Sequence, residues 1–397
     1  MGRIGIDLGG TKMEIILTTG NPMEVLERHR VPNLSPLPTP STANSPPKSV
    51  RTRLATPAGG MGLPRSHSPM PRLLRCLMVG LALLVTTTGT ARAERVGLAC
   101  IGAMLGEYLL PGVGYALLGE YDKVVSFGGL RWAALSKYAS YARSPNYLKD
   151  YRDIYKTEKI TVDGKERQKV DIYLSRETFY GKAYASMYSN LTFATIYDLY
   201  DGCGSKSETY KLMAASFRID HFWAEPTFWA PVVYAGVVPL GSDNVTYHVD
   251  TNLSRQEMIN LSFVQYQLVG IGEEMLFRGV IQRSLYNGFS GFLSKKAARW
   301  TSIVTASAIF GAAHSGQGFS ANSGVAFGAG MYLGWVYNPE VDQFDLIEPI
   351  AIHAWWDTIL VNRRLRESKF VARKSGETAR NPLTARTYPL FGFTYHF

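Results

Sequence analysis

The chain has 397 residues, 46% of them hydrophobic, and a formal net charge of +10. Its length allows two or three domains, while a mean hydropathy of −0.06 excludes a protein made mostly of membrane spans. The basic residues are scattered rather than gathered into one stripe with aromatics, so nucleic-acid binding is not expected. Loops that face anionic lipid explain the positive charge better.

The first segment, residues 1–20, contains Gly5-Ile-Asp-Leu-Gly-Gly-Thr-Lys12. This stretch resembles the first phosphate-binding strand and turn of the ROK sugar kinases, in which the turn after Asp7 holds the phosphates of ATP. The resemblance ends at about Gly20, and no second phosphate motif follows. A sugar kinase is therefore kept only as a remote alternative.

Two further segments precede the bulk of the chain. Residues 21–71 form a linker rich in Pro, Ser and Thr, which should be disordered because it lacks the apolar residues needed for a core. Residues 72–93 combine a basic start, a short apolar run and the ending Ala91-Arg92-Ala93, a pattern typical of a secretory signal peptide. The alternative is an uncleaved anchor helix.

Residues 94–225 match no family by their motifs and are predicted to hold one or two apolar helices. Residues 96–119 have about the length of a membrane span, although Glu107 and Pro111 interrupt them. A buried helical hairpin broken at Pro111-Gly112 is the alternative. Further on, residues 159–162 and 168–174 predict two short strands around an Asp163-Gly164 turn.

The most informative stretch is residues 270–279, Gly-Ile-Gly-Glu-Glu-Met-Leu-Phe-Arg-Gly, inside an apolar helical run over residues 258–282. A charge in such a run is costly unless it is paired. Glu274 and Arg278 are four residues apart and share a helical face, so they are expected to pair. Glu273 lies about 100° further round the helix and is left for another role.

Two patterns follow in apolar segments that are predicted to be helices. Phe310-Gly-Ala-Ala-His314 lies in residues 301–314, and His353-Ala-Trp-Trp-Asp357 lies in residues 347–361. Between them, Gly330 and Gly334 predict a close helix-packing face on a helix over residues 324–337. Residues 241–250 are expected to form a turn-rich loop.

In this order the three patterns resemble the motifs of the CPBP family of intramembrane proteases, which includes the type II CAAX prenyl endopeptidases and relatives linked to bacteriocin immunity. Its motifs read Glu-Glu-x-x-x-Arg, then Phe-x-x-x-His, then His-x-x-x-Asn or Asp. The resemblance covers residues 228–365 and places a protease core at residues 226–368, followed by a tail at residues 369–397. The implied fold is an all-α membrane helical bundle with a small α/β or hairpin-containing polar region and a disordered N-terminal stretch.

The resemblance implies that Glu273 and His314 activate a water molecule, while His353 and Asp357 bind the oxyanion. Glu274 and Arg278 are then expected to be structural or substrate-orienting. Burial should raise the pKa of the Glu273 carboxyl and make it a better base near neutral pH. An ionised Asp357 would repel an oxyanion, so Asp357 must be protonated or must orient His353.

No cofactor is expected, but the residues leave a zinc ion on Glu273, His314 and His353 open as an alternative. The predicted partners are a protein or peptide substrate and membrane lipid, and the predicted location is the bacterial inner membrane, with several spans. A non-catalytic membrane scaffold or immunity-type protein of the same fold is the alternative function.

Overall fold

The computed structural model describes residues 3–7, 13–19, 24–31, 97–149, 151–162, 165–202, 209–314 and 321–373. The chain divides into two compact units, residues 1–77 and residues 78–397. The predicted signal segment (residues 72–93), Gly9 to Lys12 of the phosphate turn, and most of the tail lie outside the described residues.

The first unit contains a three-stranded antiparallel sheet in the order β1-β2-β3. Its strands are β1 (Arg3–Asp7), β2 (Met13–Thr19) and β3 (Glu24–Val31). The prediction of disorder from residue 21 onward is therefore wrong for β3. The compositional argument rested on Pro, Ser and Thr, which become abundant only after Val31, whereas β3 carries apolar residues and pairs with β2.

The second unit is rich in helices, as predicted. Up to residue 222 its helices are α1 (Leu98–Leu109), α2 (Val113–Leu117), α3 (Tyr121–Lys123), α4 (Gly129–Ala142), α5 (Tyr151–Ile154), α6 (Arg176–Gly202), α7 (Thr209–Leu212) and α8 (Ile219–Phe222). After residue 222 they are α9 (Pro226–Val237), α10 (Arg255–Glu274), α11 (Arg283–Phe289), α12 (Lys295–Ala313), α13 (Ala321–Tyr337) and α14 (Ile347–Glu367). A π-helical turn, Val124–Gly128, joins α3 to α4, a longer π-helical segment, Met275–Gln282, joins α10 to α11, and short 3₁₀ turns lie at Ala215–Phe217 and Ser242–Asn244.

A four-stranded sheet in the second unit includes the predicted hairpin of the small α/β region and extends it by two strands. Its strands, in the order β4-β5-β6-β7, are β4 (Tyr155–Val162), β5 (Lys165–Leu174), β6 (Val245–Asp250) and β7 (Lys369–Arg373). The hairpin β4–β5 is antiparallel, as the sequence predicted, and β6 and β7 add in parallel. The predicted loop at residues 241–250 is wrong over β6, where alternate residues are buried against the helices.

The region around Pro111 is a helical hairpin rather than one span. Helix α1 ends at Leu109, and Gly112 turns the chain with φ of 87° into α2. Glu107 is fully buried there, where it pairs with Arg131 and accepts hydrogen bonds from the backbone nitrogens of Gly112 and Gly114, each at 3.0 Å. The carboxylate that interrupts the apolar run therefore fixes the hairpin.

Among the helices of the described ranges, none combines the length and the apolar character needed to cross a membrane.

Helix α10 is the central helix of this unit, and it packs against both α14 and α6. Its start is fixed by Ser254, whose hydroxyl accepts from the backbone nitrogen of Glu257 while the Glu257 carboxylate accepts from the backbone nitrogen of Ser254. This reciprocal cap satisfies two of the backbone donors that a helix start leaves unpaired. The helix therefore begins at a defined residue and delivers Glu273 and Glu274 at its far end.

Two glycines let the neighbouring helices approach the end of α10. A Cβ on Gly270 would lie 2.6 Å from the backbone nitrogen of Ala354, and one on Gly272 would lie 2.4 Å from the backbone oxygen of Asn190. Ala354 follows His353 directly, so the contact at Gly270 sets the distance between the two motif-bearing helices.

Replacing Gly270 by alanine should therefore force α14 away from α10. We expect a loss of about 1–3 kcal/mol in the free energy of unfolding, as for overpacked cores. Chemical denaturation measures this change. Gly236→Ala is the matched control, since a Cβ there meets no atom within 4 Å, and it should be neutral or slightly stabilising. Equal stability of the two variants would contradict the proposed close approach.

Candidate active site

Three helices bring the six predicted residues together. Glu273 and Glu274 end α10, Arg278 lies in the π-helical segment that follows, and His314 is the residue at the C-terminal cap of α12. His353 and Asp357 lie within α14. π-Helical turns inside helices often occur at functional sites, and this one begins immediately after the two glutamates.

Glu274 is the buried centre of the cluster. One carboxylate oxygen lies 2.7 Å from Nδ1 of His353, and the other lies 3.0 Å from Nε of Arg278. The predicted pair of Glu274 and Arg278 is therefore present, and both side chains are almost completely excluded from solvent. The contact with His353 was not predicted, because it joins residues 79 positions apart in sequence.

Glu273, the neighbouring residue, faces both imidazoles. Its Oε2 atom lies 3.4 Å from Nε2 of His314 and 3.9 Å from Nε2 of His353. The side chains of Glu273 and His314 retain 18% and 20% exposure, whereas that of Glu274 has none. The Glu273 side chain is thus partly exposed, although its Oε2 atom is buried and has no hydrogen-bond partner among the described residues, whereas Glu274 is fully enclosed.

The backbone fixes the tautomer of His314. Its Nδ1 lies 2.8 Å from the carbonyl oxygen of Phe310, and because a carbonyl only accepts, Nδ1 must carry the proton. The Nε2 atom is then the one that faces Glu273. The same logic applies to His353, whose Nδ1 donates to Glu274 and whose Nε2 faces both Glu273 and Asp357, the latter at 3.5 Å.

Phe310, the aromatic residue of the second motif, packs against the charged groups. Its ring centroid lies 4.3 Å from that of His314 and 6.0 Å from that of His353, and the Arg278 guanidinium lies 4.7 Å from the ring centroid. The ring therefore limits the movement of both imidazoles. Arg278 also donates to the carbonyl oxygen of Gly330 on α13 at 3.3 Å.

The predicted packing face on α13 is confirmed. A Cβ on Gly330 would lie 3.1 Å from Ser307 of α12, and one on Gly334 would lie 2.8 Å from the side-chain oxygen of Gln282. Gln282 in turn donates to the carbonyl oxygen of Gly334 at 2.9 Å. These glycines bring α13 close to the π-helical segment and so support Arg278.

The electrostatics correct one expectation about Glu273. Burial acts to raise the pKa of its carboxyl, but the nearby His314, His353 and Arg278 outweigh burial and lower that pKa. The predicted rise is therefore wrong, because the argument from burial ignored three cationic neighbours. For His314, burial acts to lower the pKa, but the negative charge of Glu273, 3.4 Å away, raises it overall. Glu273 and His314 therefore each favour the charged form of the other.

For His353, burial again opposes the charged form, but Asp357 and Glu274 raise its pKa well above 6.5. Protonated His353 consequently stabilises the fold fully below pH 6.5, and this contribution is lost as the pH rises through the folded pKa. Glu273 shows the opposite sign. Its contribution is present above the ordinary pKa of 4.5 and is lost as the pH falls through the lowered folded value.

Within the described ranges, no three or more His, Cys, Asp and Glu side chains have the arrangement needed to hold a metal ion. Glu273, His314 and His353, the zinc ligands of the alternative prediction, converge on one carboxylate oxygen with Nε2–Oε2 distances of 3.4 and 3.9 Å.

Comparison with known proteins identifies the helical core. Residues 255–359 match the model of the family described as type II CAAX prenyl endopeptidase Rce1-like. This match confirms the family predicted from the three motifs, and it spans α10 to α14. Neither the curated proteins nor the solved structures contain a match to the chain.

Proposed function

Because residues 255–359 carry an Rce1-like type II CAAX prenyl endopeptidase domain, we propose that the protein is an endopeptidase that hydrolyses a peptide bond with activated water. The observation that carries the proposal is the meeting of one partly exposed carboxylate, Glu273, with the Nε2 atoms of His314 and His353. Three such groups supply a base, an orienting group and an oxyanion donor.

In this mechanism Glu273 takes a proton from water as the water oxygen attacks the carbonyl carbon of the substrate. The lowered pKa of Glu273 keeps it ionised at neutral pH, so it is available as a base without prior deprotonation. His314, held by the Phe310 carbonyl, presents Nε2 beside Glu273 and orients the water. The proton then passes from Glu273 to the leaving nitrogen as the carbon–nitrogen bond breaks.

His353 is the proposed oxyanion donor. Its raised pKa keeps the imidazole protonated, and its Nδ1 is already committed to Glu274, so Nε2 is the nitrogen that donates to the oxyanion. Glu274 and Arg278 act through His353 and are positioning residues. Asp357, 3.5 Å from Nε2 of His353, orients that imidazole and helps to keep it charged.

Asp357→Asn tests that role through the pH profile. The variant should stay active near neutral pH, since asparagine keeps the shape of the side chain. Removal of one carboxylate lowers the pKa of His353, so the alkaline limb of the rate profile should move down by about 1–3 pH units. The profile of the exposed control Asp220→Asn should match that of the wild type. If the alkaline limb of the Asp357→Asn profile did not move, the proposed role of His353 as oxyanion donor would be wrong.

We propose that the reaction needs no metal ion. Prolonged dialysis against EDTA should leave the rate of hydrolysis unchanged, and added Zn²⁺ should not raise it. Loss of activity on dialysis with recovery on adding Zn²⁺ would instead favour zinc on Glu273, His314 and His353.

We also propose that the substrate is a protein or peptide met at a membrane, specifically the bacterial inner membrane. Many large apolar side chains between residues 105 and 132 are exposed, and this supports a location at a membrane. They are Leu105, Leu109, Leu110, Leu117, Tyr121, Val125, Leu130 and Trp132. Apolar surface of this kind typically marks an interaction site with lipid or protein. Recovery of the full-length protein entirely in the supernatant after cell fractionation would contradict this location.

A further inference from the structure

A second site lies away from the glutamates, between the four-stranded sheet and helices α6, α10 and α14. It is a cavity of about 600 Å³, within the range of about 300–1,000 Å³ that small-molecule sites occupy. Its part of α14 begins at Val361, one turn after Asp357, and reaches Arg364. Eleven residues of helix separate His353 from Arg364, or roughly 16 Å, so the cavity is distinct from the proposed catalytic centre.

Strand alternation makes one wall of this cavity apolar. Side chains of every second residue on β5 point to one face, and Val170, Ile172 and Leu174 all line the cavity. In the register of the sheet, Ile172 lies between Tyr155 of β4 and Tyr247 of β6, and these two tyrosines also line it. The wall is therefore aliphatic with two phenols in one cross-strand row.

The cavity has an exposed end and a buried end. Thr157 and Gln168 are exposed lining residues, whereas Met258 and Leu365 on the helices are 1% and 3% exposed. The buried end is mainly aliphatic, although Ser262 and Gln265 of α10 add buried polar groups to its wall. This end suits a hydrocarbon chain.

All ionised groups among the described lining residues are cationic. Lys182 of α6 and Arg364 of α14 line the cavity, and no acidic side chain is among the described lining residues. Arg364 also lies near the two phenols. Burial raises the pKa of Tyr155 and of Tyr247, and the positive charge of Arg364 opposes that rise in both. Arg364 with the two phenol hydroxyls thus provides donors for one anionic head group, and Lys182 adds a second positive charge to the same cavity.

We propose that this cavity binds a single-chain anionic amphiphile, with its hydrocarbon chain against Val170, Ile172 and Leu174 and its acidic head on Arg364 and Lys182. This site is separate from the proposed peptidase centre, and it is expected to bind its ligand whether or not the protein cleaves a peptide.

Titration of the purified full-length protein with oleate tests the proposal, with binding measured by displacement of a fluorescent fatty acid. We expect saturable binding of oleate. Oleyl alcohol, which has the same chain without the charge, should bind about 10- to 100-fold more weakly, as expected for the loss of a charge-assisted hydrogen bond. A parallel titration with 1-oleoyl-lysophosphatidic acid shows whether a phosphate head is preferred to a carboxylate.

Three substitutions locate the site, two at the residues proposed to bind the head group and one at a residue beside the proposed hydrocarbon chain. Arg364→Gln and Lys182→Gln should each weaken oleate binding by about 10-fold or more, while the exposed Arg366→Gln should leave it unchanged. Ser262→Leu, which adds volume inside the cavity, should weaken oleate and oleyl alcohol alike. Thermal unfolding without ligand shows which variants are folded. If Arg364→Gln does not fold, Lys182→Gln alone tests the head-group site.

Several results would overturn the proposal. These are the absence of saturable oleate binding, equal affinity for oleate and oleyl alcohol, or wild-type affinity in the folded head-group variants. Glu273→Gln should bind oleate as the wild type does. A protein that binds oleate without cleaving any peptide would refute the proposed peptidase alone, and the reverse result would refute the cavity proposal alone.

Discussion

Replacing Glu273 by glutamine should lower the rate of peptide hydrolysis by about 10²–10⁴-fold, the range that a positioned general base contributes. Glutamine has nearly the same shape but cannot accept the proton of the attacking water. The partly exposed position of Glu273 and its distances to His314 and His353 make it the base in this account. The rate with a fixed peptide at neutral pH, together with the circular dichroism spectrum, measures the effect.

The matched control for this substitution is Glu166→Gln on β5. Glu166 has 74% of its side chain exposed and pairs with Lys159 across the hairpin, so its loss should leave the rate unchanged. If Glu273→Gln kept the wild-type rate, the proposed role of Glu273 would be wrong. If a cellular phenotype of the protein survived the loss of hydrolysis, the non-catalytic scaffold would be the better description of its biological role.

Arg278→Met should cause the largest loss of stability. Arg278 and Glu274 form an ion pair with 1% and 0% exposure, and removal of one partner leaves a charge buried without it. Such changes cost about 3–5 kcal/mol in the free energy of unfolding. The exposed pair of Arg218 and Asp220 provides the control, because Arg218→Met should change stability by less than about 0.5 kcal/mol.

A double variant distinguishes pairing from other contacts of Arg278. Arg278→Met combined with Glu274→Gln removes both charges, and the amide oxygen of the introduced glutamine can still accept from Nδ1 of His353. The loss of stability in the double variant should therefore be clearly smaller than the sum for the two single variants. Strict additivity in urea denaturation would mean that Arg278 stabilises the fold through Phe310 and Gly330 rather than through Glu274.

The short-range features of the site were accessible from sequence, since they follow from helical spacing. The four-residue interval between Glu274 and Arg278 predicted their pair, and the glycine interval on α13 predicted a close packing face. The meeting of the three motifs followed from family order rather than from geometry. No local pattern indicates that Glu274 holds His353, because that contact depends on how α10 crosses α14 at Gly270 and Ala354.

Two other features lay beyond sequence reasoning for related reasons. Strands β6 and β7 are short and find their partners more than 70 residues away, so β6 read as a loop when taken alone. The pKa of Glu273 depends on a balance between burial and three cations from different elements. The burial of Glu273 can be predicted from the apolar residues beside it in sequence. Its three cationic neighbours, however, come close to it only in the folded protein.

The measurement that tests the central claim most directly is hydrolysis of a peptide library in H₂¹⁸O, with new carboxyl termini read by mass spectrometry. Purified wild-type protein and Glu273→Gln are compared at neutral pH. The account predicts new termini that carry one ¹⁸O atom with the wild type and almost none with Glu273→Gln. The absence of new termini with the wild type, or equal labelling with both proteins, would contradict hydrolysis by water activated at Glu273.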